Sequence, residues 1–298
     1  MGSAEAAPTP VRNTDARSAC PLCASTALKG LGPLASPRVR QFSSHLIELE
    51  RAPELWRCEA CASSFTQFPV PEPDARRLYA EGVGDRWSSP RPFEDTRARE
   101  VVHALEALFA RGSRVLDIGC NTGELLDFAK RRGCVTAGVE LSAAGRAACE
   151  AHGHETFEEL SACTGSYDVL TALDLVEHLY DVPGFLRRVN GLLADGGALV
   201  VVTGDPGWDE ATREGPRWWY VQPPEHVVFP SRRFWEGVPG FRLERAEHST
   251  ADVSREPSLA RRALSAARSL RRGEGWREGW TLAGRDHLVA VLRKEAPR

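Results

Sequence analysis

The chain has 298 residues, a formal net charge of −3, a hydrophobic content of 42% and a charged content of 27%. These values are typical of a globular protein with one large domain, or one domain and a small module, and they exclude a general electrostatic attraction to nucleic acid. The longest apolar run, residues 198–202, is too short to span a membrane, and the N-terminus lacks the apolar core of a signal peptide. We therefore expect a cytoplasmic protein with no membrane partner.

The N-terminal part predicts a disordered tail followed by a small metal-binding unit. Residues 1–18 have no aromatic residue and no hydrophobic periodicity, and we expect them to be disordered. Residues 19–70 contain two CxxC pairs, and four thiolates close a tetrahedral zinc site that has no open position. This structural zinc would be held by Cys20, Cys23, Cys58 and Cys61.

Strand patterns around the two cysteine pairs support a zinc ribbon. Alternation over residues 45–50 predicts one strand, and the run Leu-Trp-Arg at 55–57 predicts another that leads into the second pair. Four free thiols or a disulfide are the alternatives, and a disulfide is disfavoured in a cytoplasmic protein. His45 is an alternative ligand, but the pattern places it on a strand.

Residues 71–298 predict an α/β, Rossmann-like sheet. Two helices come first: one begins near residue 75 and is capped by Asp74, and the other covers residues 94–111. Strands are expected at 114–118, 135–140, 167–173 and 198–202, a faint one near 154–157, and closing strands at 241–245 and 287–292. Helices are expected at 123–132, 142–152 (capped by Ser142), 183–193 and 258–272, the last with leucines and alanines on one face and arginines on the other.

The run Val-Leu-Asp-Ile-Gly-Cys-Asn-Thr-Gly at 115–123 is a strand followed by a glycine turn and a helix, which is a nucleotide-binding corner. Asp117 stands just before the first glycine, where a carboxylate would repel a pyrophosphate and attract a cation. S-adenosylmethionine (SAM) is such a ligand, because it carries a sulfonium and an ammonium and no phosphate. Glu140, at the end of the next strand, is placed to accept hydrogen bonds from ribose hydroxyls.

The run from Asp117 to Gly123, followed by Glu140, resembles class I SAM-dependent methyltransferases. This resemblance implies methyl transfer from bound SAM and a small set of donor-binding residues. These are Asp117, Gly119, Cys120, Asn121, Gly123, Glu140 and Asp174.

An aromatic insertion at residues 205–240 follows the strand at 198–202 and is expected to form the acceptor pocket. Trp218, Trp219 and Tyr220 either stack on the acceptor or clamp the insertion. Glu225 and His226 lie in the same insertion, and His226 is the candidate general base, with a strand-edge histidine packed by aromatic residues as the alternative. Glu225 either holds the histidine tautomer and raises its basicity or binds the substrate. His178, just after the strand at 167–173, is a second candidate that could instead line the pocket.

The combination of cysteine pairs, SAM corner and Glu-His pair over residues 19–240 resembles bacterial methyltransferases of natural-product and sugar pathways. These include enzymes that methylate carbon atoms of nucleotide-linked keto sugars, in which a Tyr-x-Glu-His pattern carries the base chemistry. Pro223 replaces that tyrosine here. Oxygen or nitrogen methylation of a small molecule, free or linked to a nucleotide or carrier, is therefore as well supported as carbon methylation.

Two other functions compete with this interpretation. An RNA methyltransferase would use the ribbon and the arginine-rich helix at 258–272 to hold RNA, but the ribbon segment carries both signs of charge and no basic stripe. A non-catalytic SAM-binding scaffold would use the ribbon as a partner module. The sequence identifies neither the acceptor nor the oligomeric state.

Overall fold

The structure, a computed structural model, describes residues 7–34, 39–82, 89–251, 258–271, 273, 276 and 284–296. Its N-terminal part consists of six short strands and three helices. The strands are β1 (Thr9–Val11), β2 (Leu28–Pro33), β3 (Val39–Phe42), β4 (His45–Leu49), β5 (Glu54–Cys58) and β6 (Ser64–Gln67). The helices are α1 (Glu72–Ala80), α2 (Phe93–Thr96) and α3 (Arg99–Glu106).

The rest of the described chain alternates between strands and helices. Its first half contains β7 (Arg114–Ile118), α4 (Glu124–Arg131), β8 (Val135–Val139), α5 (Ala143–Ala151), β9 (Glu155–Phe157), β10 (Tyr167–Leu173) and α6 (Val182–Leu192). Its second half contains β11 (Leu193–Gly204), α7 (Asp209–Glu214), β12 (Val228–Phe229), α8 (Arg232–Glu236), β13 (Phe241–Ser249), α9 (Leu259–Arg271) and β14 (His287–Lys294). The strands expected from the sequence are all present.

Seven strands form the central sheet in the order β13-β14-β11-β10-β7-β8-β9. All neighbours are parallel except at β14, which runs antiparallel to both β11 and β13. Leu116, Leu170 and Val200 are fully buried because helices cover both faces. The predicted α/β, Rossmann-like sheet is confirmed, and its central strands end at one edge, where such sheets bind ligands.

The N-terminal strands form two small sheets, and one of them is completed by the middle of the chain. One sheet has the order β1-β4-β3, and the other has the order β12-β6-β5-β2. In the second sheet Val228 pairs with Phe65, and Phe229 pairs with Ser64. The unit expected at residues 19–70 is therefore built into the large domain through β12.

The expected disorder of residues 1–18 is wrong for residues 9–11, which form β1 parallel to β4. Asn13, which is buried, holds this segment in place because its amide donates to the carbonyls of Arg51 and Phe68, both at 2.8 Å. Such side-chain bonds between distant segments leave no hydrophobic period in the sequence. Residues 1–6 lie outside the described residues.

Two helix predictions before β7 need correction. Asp74 does not cap α1, which begins at Glu72 because Pro73 fits the first turn of a helix, so Asp74 lies inside that turn. The helix expected at 94–111 is two helices, because the backbone is extended at Arg97 (φ −96°, ψ 151°). This break turns the Arg97 side chain toward Asp174.

Helix α9 covers most of the range 258–272, of which residue 272 lies outside the described residues. The face of leucines and alanines is not buried as a whole, because Leu259 and Leu270 are exposed and only Ala266 and Ser269 of this helix are buried. Small residues make the contact with the body of the protein, which lets the helix backbone approach closely. Among the described residues, no helix combines the length and the hydropathy that crossing a membrane requires.

Candidate functional site

The turn after β7 lies against the end of β8. Gly119 and Gly123 have φ angles of 80° and 94°, which glycine adopts without strain. The backbone N–H groups of Gly119 and Cys120 both donate to the carbonyl of Val139, at 2.8 and 3.1 Å. Cys120 also fills the space beside Gly138, where any side chain would collide with its sulfur. These contacts fix the position of the turn against β8.

Glu140 lies directly beside this turn. Its Oε2 accepts from the N–H of Asn121 at 3.1 Å, and its Oε1 accepts from the N–H of Ser142 at 2.8 Å. Asn121 has a φ of 48°, and this left-handed conformation suits asparagine. The carboxylate is therefore fixed where a ligand lying across the turn could donate two hydroxyl groups to it.

Asp117 is buried in the sheet below the turn, and Thr171 on β10 donates to its Oδ1 at 2.6 Å. Burial raises the pKa of Asp117 to about 7, and the Thr171 hydrogen bond and the charge of Arg97 offset only part of this effect. The carboxyl group therefore changes charge near neutral pH. A cation held at the turn would favour its ionised form.

Asp174 ends β10 and forms an ion pair with Arg97. Its backbone has a φ of 49°, and its N–H donates to the carbonyl of Val202 at 2.9 Å. Leu175, the next residue, packs over the turn, since a Cβ at Gly119 would lie 3.2 Å from its Cδ1. Arg97 was not predicted as a site residue, because it lies between two helices without a motif around it.

The structure brings His178 and His226 together, with ring centroids 4.7 Å apart. His178 Nδ1 lies 2.9 Å from the Tyr79 hydroxyl, and His226 Nδ1 lies 2.7 Å from the carbonyl of Tyr220. In the neutral ring His226 thus donates from Nδ1 and keeps a lone pair on Nε2. Burial, and next the nearby charge of His178, lower the pKa of His226 well below the usual value.

Glu177 lies beneath these histidines; its pairing with His178 in the sequence resembles the family pattern, but it was not predicted as a site residue. It is fully buried and accepts hydrogen bonds from the hydroxyls of Tyr220 and Thr203, the latter at 2.9 Å. Burial raises its pKa. The sequence could have indicated it, because it lies between Asp174 and His178 at the ligand-binding edge.

Glu225 and His226 do not act as a pair, although they are adjacent in sequence. The Glu225 carboxylate accepts from the backbone N–H of Ser43, in the turn between β3 and β4. Consecutive side chains diverge, so each of these two contacts a different part of the molecule. Glu225 therefore connects the insertion to the N-terminal module.

The aromatic residues of the insertion differ in their burial. Trp218 and Tyr220 are buried, whereas Trp219 is half-buried. Trp219 borders a crevice of about 470 Å³ between β3 and the insertion. Residues lining this crevice include Arg40, Gln41, Arg217, Trp218, Trp219, Gln222 and Glu225.

Asp286 and His287 reach the same edge of the sheet from β14, and the sequence analysis assigned neither to the site. The indoles of Trp218 and Trp219 both donate to Asp286. The Tyr220 ring lies 4.6 Å from His287 and 4.7 Å from His226. Because β14 runs antiparallel to β11, its first residue lies beside the last residues of the parallel strands. This position in the sheet is the one feature that could have indicated from the sequence that the two residues belong to the site.

The four N-terminal cysteines form one cluster, with their sulfur atoms all within 4.8 Å of one another. The Sγ–Sγ distance is 3.8 Å for Cys20 and Cys61, and 3.6 Å for Cys23 and Cys58. A tetrahedral zinc ion with Zn–S bonds of about 2.3 Å requires sulfur separations of about 3.8 Å, so the residues fit zinc. The residues after each pair, Ala24 and Ala62, have φ angles of 58° and 61°, the turn that glycine commonly makes there.

Comparisons with known proteins assign the central part of the chain. Residues 91–238 match the family model described as a methyltransferase domain. The ubiquinone biosynthesis O-methyltransferase of Marinobacter nauticus is 29% identical over 140 residues, which cover 41% of this chain and 59% of that protein. The Bradyrhizobium enzyme of the same name is 37% identical over 107 residues, covering 33% of this chain and 42% of that protein.

The chain thus spans about half the length of these two curated relatives. Among solved structures, a SAM-dependent methyltransferase from Mesorhizobium loti aligns with 64% of this chain and 96% of its own. The identity is 21% and the TM-score 0.45.

Proposed function

We propose that this chain, whose residues 91–238 match the family model described as a methyltransferase domain, transfers the methyl group of SAM to a small-molecule acceptor. The observation that carries the proposal is the position of Glu140 beside the rigid glycine turn. SAM supplies an activated methyl group, so the protein has to bind the two substrates, align them and accept a proton where the acceptor loses one.

The donor would lie across the ends of β7 and β8. Glu140 would accept the ribose hydroxyls, and the backbone of the turn would lie under the donor. Asp117 would favour a cation above it, because the positive charge of the ligand would offset the free-energy cost of burying the ionised carboxylate. The full set is Asp117, Gly119, Cys120, Asn121, Gly123, Glu140 and Asp174.

The acceptor would enter through the crevice between β3 and the insertion. Trp219 and its neighbours offer stacking surfaces, and Arg40 and Arg217 offer positive charge. A small-molecule acceptor agrees with the two relatives that are named ubiquinone biosynthesis O-methyltransferase. The cysteine cluster, together with the resemblance carried by the adjacent residues Glu225 and His226 in the sequence, supports a place in natural-product or sugar biosynthesis.

His226 is the proposed general base, and His178 is its neighbour across the site. The lone pair of His226 Nε2 is free for a proton because Nδ1 is held by the Tyr220 carbonyl. Glu225 would act by fixing the insertion to Ser43 rather than by contacting His226. We expect His226→Ala to bind the donor normally and to lose transfer, whereas normal turnover would assign the base elsewhere.

The four cysteines are proposed to hold one structural zinc ion. All four positions of a tetrahedral ion would be taken by protein, so this ion would not bind substrate. Its role would be to fix the strands that support β12.

Calorimetric titration with S-adenosylhomocysteine tests the donor site. The wild type should bind it, and Glu140→Ala should weaken binding by about tenfold or more, since a pair of charge-assisted hydrogen bonds is lost. Glu158→Ala is the matched control, because that residue is exposed and pairs only at 3.5 Å with Arg146. Absence of binding by folded wild-type protein would overturn the proposed function.

A further inference from the structure

A cluster of two histidines and one aspartate lies outside the proposed transfer site. Nδ1 of His152 lies 2.9 Å from Oδ2 of Asp127, and Nε2 of His154 lies 3.0 Å from Oδ1 of the same carboxylate. One ligand atom from each of the three residues lies within 4.8 Å of the other two. Imidazole nitrogens and carboxylate oxygens are both common ligands of transition-metal ions.

The end of α5 brings the two histidines to the same side of the chain. Gly153, which separates them, has a φ of 76°, and its N–H donates to the carbonyl of Glu150 at 2.9 Å. The N–H of His154 donates to the carbonyl of Cys149 at 3.2 Å. These bonds end the helix with the left-handed turn that glycine favours. Both imidazoles therefore face Asp127, which lies on α4.

The second ring nitrogen of His154 also has a partner that suits a metal ligand. His154 is buried, and its Nδ1 lies 2.8 Å from the hydroxyl of Thr136 on β8. A histidine that binds a metal through Nε2 carries its hydrogen on Nδ1 and donates it to an oxygen, which the Thr136 hydroxyl provides. Burial is the main cause that lowers the pKa of His154, and it favours the neutral ring that a metal requires.

The separations within the cluster fit a metal ion. Bonds of about 2.1 Å at right angles put neighbouring ligand atoms about 3.0 Å apart, close to the two nitrogen–oxygen separations observed here. Without an ion, the same separations suit hydrogen bonds from the rings to the carboxylate, so a metal would replace protons in a geometry that is already formed. Because Asp127 is partly exposed and His152 is half-exposed, water can complete the coordination.

A nearby positive charge limits the affinity of such a site. Nζ of Lys130 donates to the carbonyls of His152 and Gly153, at 2.7 and 3.4 Å, and so holds the turn that carries the histidines. Its charge would repel a cation. With this repulsion and three protein ligands instead of four, we expect the ion to exchange with solvent, unlike an ion in the cysteine cluster.

We propose that Asp127, His152 and His154 bind one divalent transition-metal ion, such as zinc or nickel. The nitrogen ligands disfavour magnesium and calcium. The ion would join α4 to the turn after α5, close behind the glycine turn, since a Cβ at Gly123 would lie 3.3 Å from Cδ2 of His154. It would stabilise this part of the fold whether or not the chain transfers a methyl group.

The test is calorimetric titration of nickel into the full chain, which is first given one equivalent of zinc for the cysteine cluster and then dialysed. Asp127→Asn keeps the shape of the side chain and removes its charge. His152→Gln removes one ligand at a half-exposed position, where replacement should not disturb folding. Neither variant changes a cysteine.

His248→Gln is the matched control. His248 also pairs with an aspartate, Asp205, at 3.0 Å. Among the described residues, no cluster of three or more potential metal ligands includes His248. Its replacement should leave nickel binding unchanged.

We expect the wild type and the control to bind one nickel ion with a micromolar Kd, and both site variants to bind it about tenfold more weakly or less well still. Nickel at about one hundred times this Kd should raise the melting temperature of the wild type by about 5 °C or more, and that of the variants by about half as much or less.

Absence of nickel binding by the folded wild type would overturn the inference. Equal binding by the wild type and both variants would also overturn it, because the ion would then lie elsewhere, for example at Glu177, His178 and His226. Weaker binding in only one of the two variants would contradict a site that needs all three ligands. None of these results depends on whether the chain binds SAM.

Discussion

At the scale of single residues, Asp117 shows how burial can connect cofactor binding with pH. Its carboxyl group has a pKa of about 7, against 3.8 for the unperturbed side chain. The neutral form stabilises the folded protein at low pH, and this stability is lost as the pH rises through 7. The shift of about three units corresponds to about 4 kcal/mol at most. A cation bound above Asp117 would instead favour the ionised carboxylate.

We predict that SAM affinity rises with pH from about 6 to about 8, because binding expels a proton from Asp117. Asp117→Asn should flatten this dependence and weaken SAM at high pH. Calorimetry at several pH values, in buffers of different ionisation enthalpy, measures both the affinity and the released proton. Equal pH slopes in the two proteins would contradict the assignment.

The contribution of His226 to stability should change with pH in the direction opposite to that of Asp117. Its folded pKa lies well below 6.5, so its contribution is present above about pH 6.5 and is lost as the pH falls toward that lower value. We predict that wild-type stability falls by about 1 kcal/mol more than that of His226→Phe between pH 7.5 and 5.5. Urea unfolding at both pH values measures this difference. His152→Phe, at a half-exposed histidine outside the site, is the control.

The sequence predicted those site residues that are close together along the chain. The turn at 117–123 and Glu140 belong to one strand-helix-strand unit, so their order and spacing in the sequence are enough to predict that they lie close together in the fold. Arg97, Asp286 and His287 approach the site from distant segments. Their positions depend on a helix break and on the order of strands, which no local pattern records.

At the scale of elements, the cysteine cluster supports strands on both sides of it. Cys58 ends β5, and the carbonyl of Cys61 accepts from the hydroxyl of Ser231, which also caps α8. The N–H of Ser231 in turn donates to the hydroxyl of Ser63 at 3.0 Å. A metal ion in the cluster would therefore stabilise the start of α8 as well as the ribbon.

We predict one zinc ion per chain, and none in Cys23→Ser. Loss of the ion should lower the melting temperature by at least about 10 °C, because a structural zinc contributes several kcal/mol and each is worth about 2–4 °C in a protein of this size. Metal analysis and thermal melting with and without chelator measure these effects. The control is Cys134→Ser, which changes a buried cysteine outside the cluster, and this variant should still contain one zinc ion per chain. A wild type without zinc and unaffected by chelator would refute the site.

Helices were predicted less accurately than strands. The pattern of apolar residues at 94–111 was read as one helix, although the chain is extended at Arg97 to form an ion pair. In α9 the sequence predicted one face of leucines and alanines, but the residues of this helix that are buried are Ala266 and Ser269. In both cases contacts with distant parts of the chain, rather than the spacing of apolar residues, determine the observed structure of the helix.

At the scale of the whole molecule, the N-terminal module and the large domain share structure. β12 pairs with β6, the Thr66 N–H donates to the Val227 carbonyl at 3.0 Å, and Glu225 holds the Ser43 turn. The sequence predicted two consecutive units because the composition changes near residue 70. No pattern in the sequence indicated the pairing between these segments, which are about 160 residues apart.

We predict that residues 71–298 alone do not fold to a stable protein. Val228 and Phe229, both fully buried, would lose their cover, and the Glu225 carboxylate would lose the hydrogen bond from the Ser43 N–H. Solubility, circular dichroism and thermal melting of this fragment test the prediction. Removal of residues 1–8, which precede β1, is the control and should leave the melting temperature unchanged. A fragment that melts cooperatively at the temperature of the full chain would show that the two parts are independent.

The pairing of β6 with β12 also sets an order of events during synthesis. Phe65 leaves the ribosome 163 residues before Val228, its partner across the sheet. At about 5–20 residues per second, the first three strands of that sheet wait on the order of ten to thirty seconds for the fourth. During this interval the four cysteines are already available, so metal capture can precede closure of the sheet. The nascent chain would then expose the uncovered edge of β6 to chaperones until the insertion arrives.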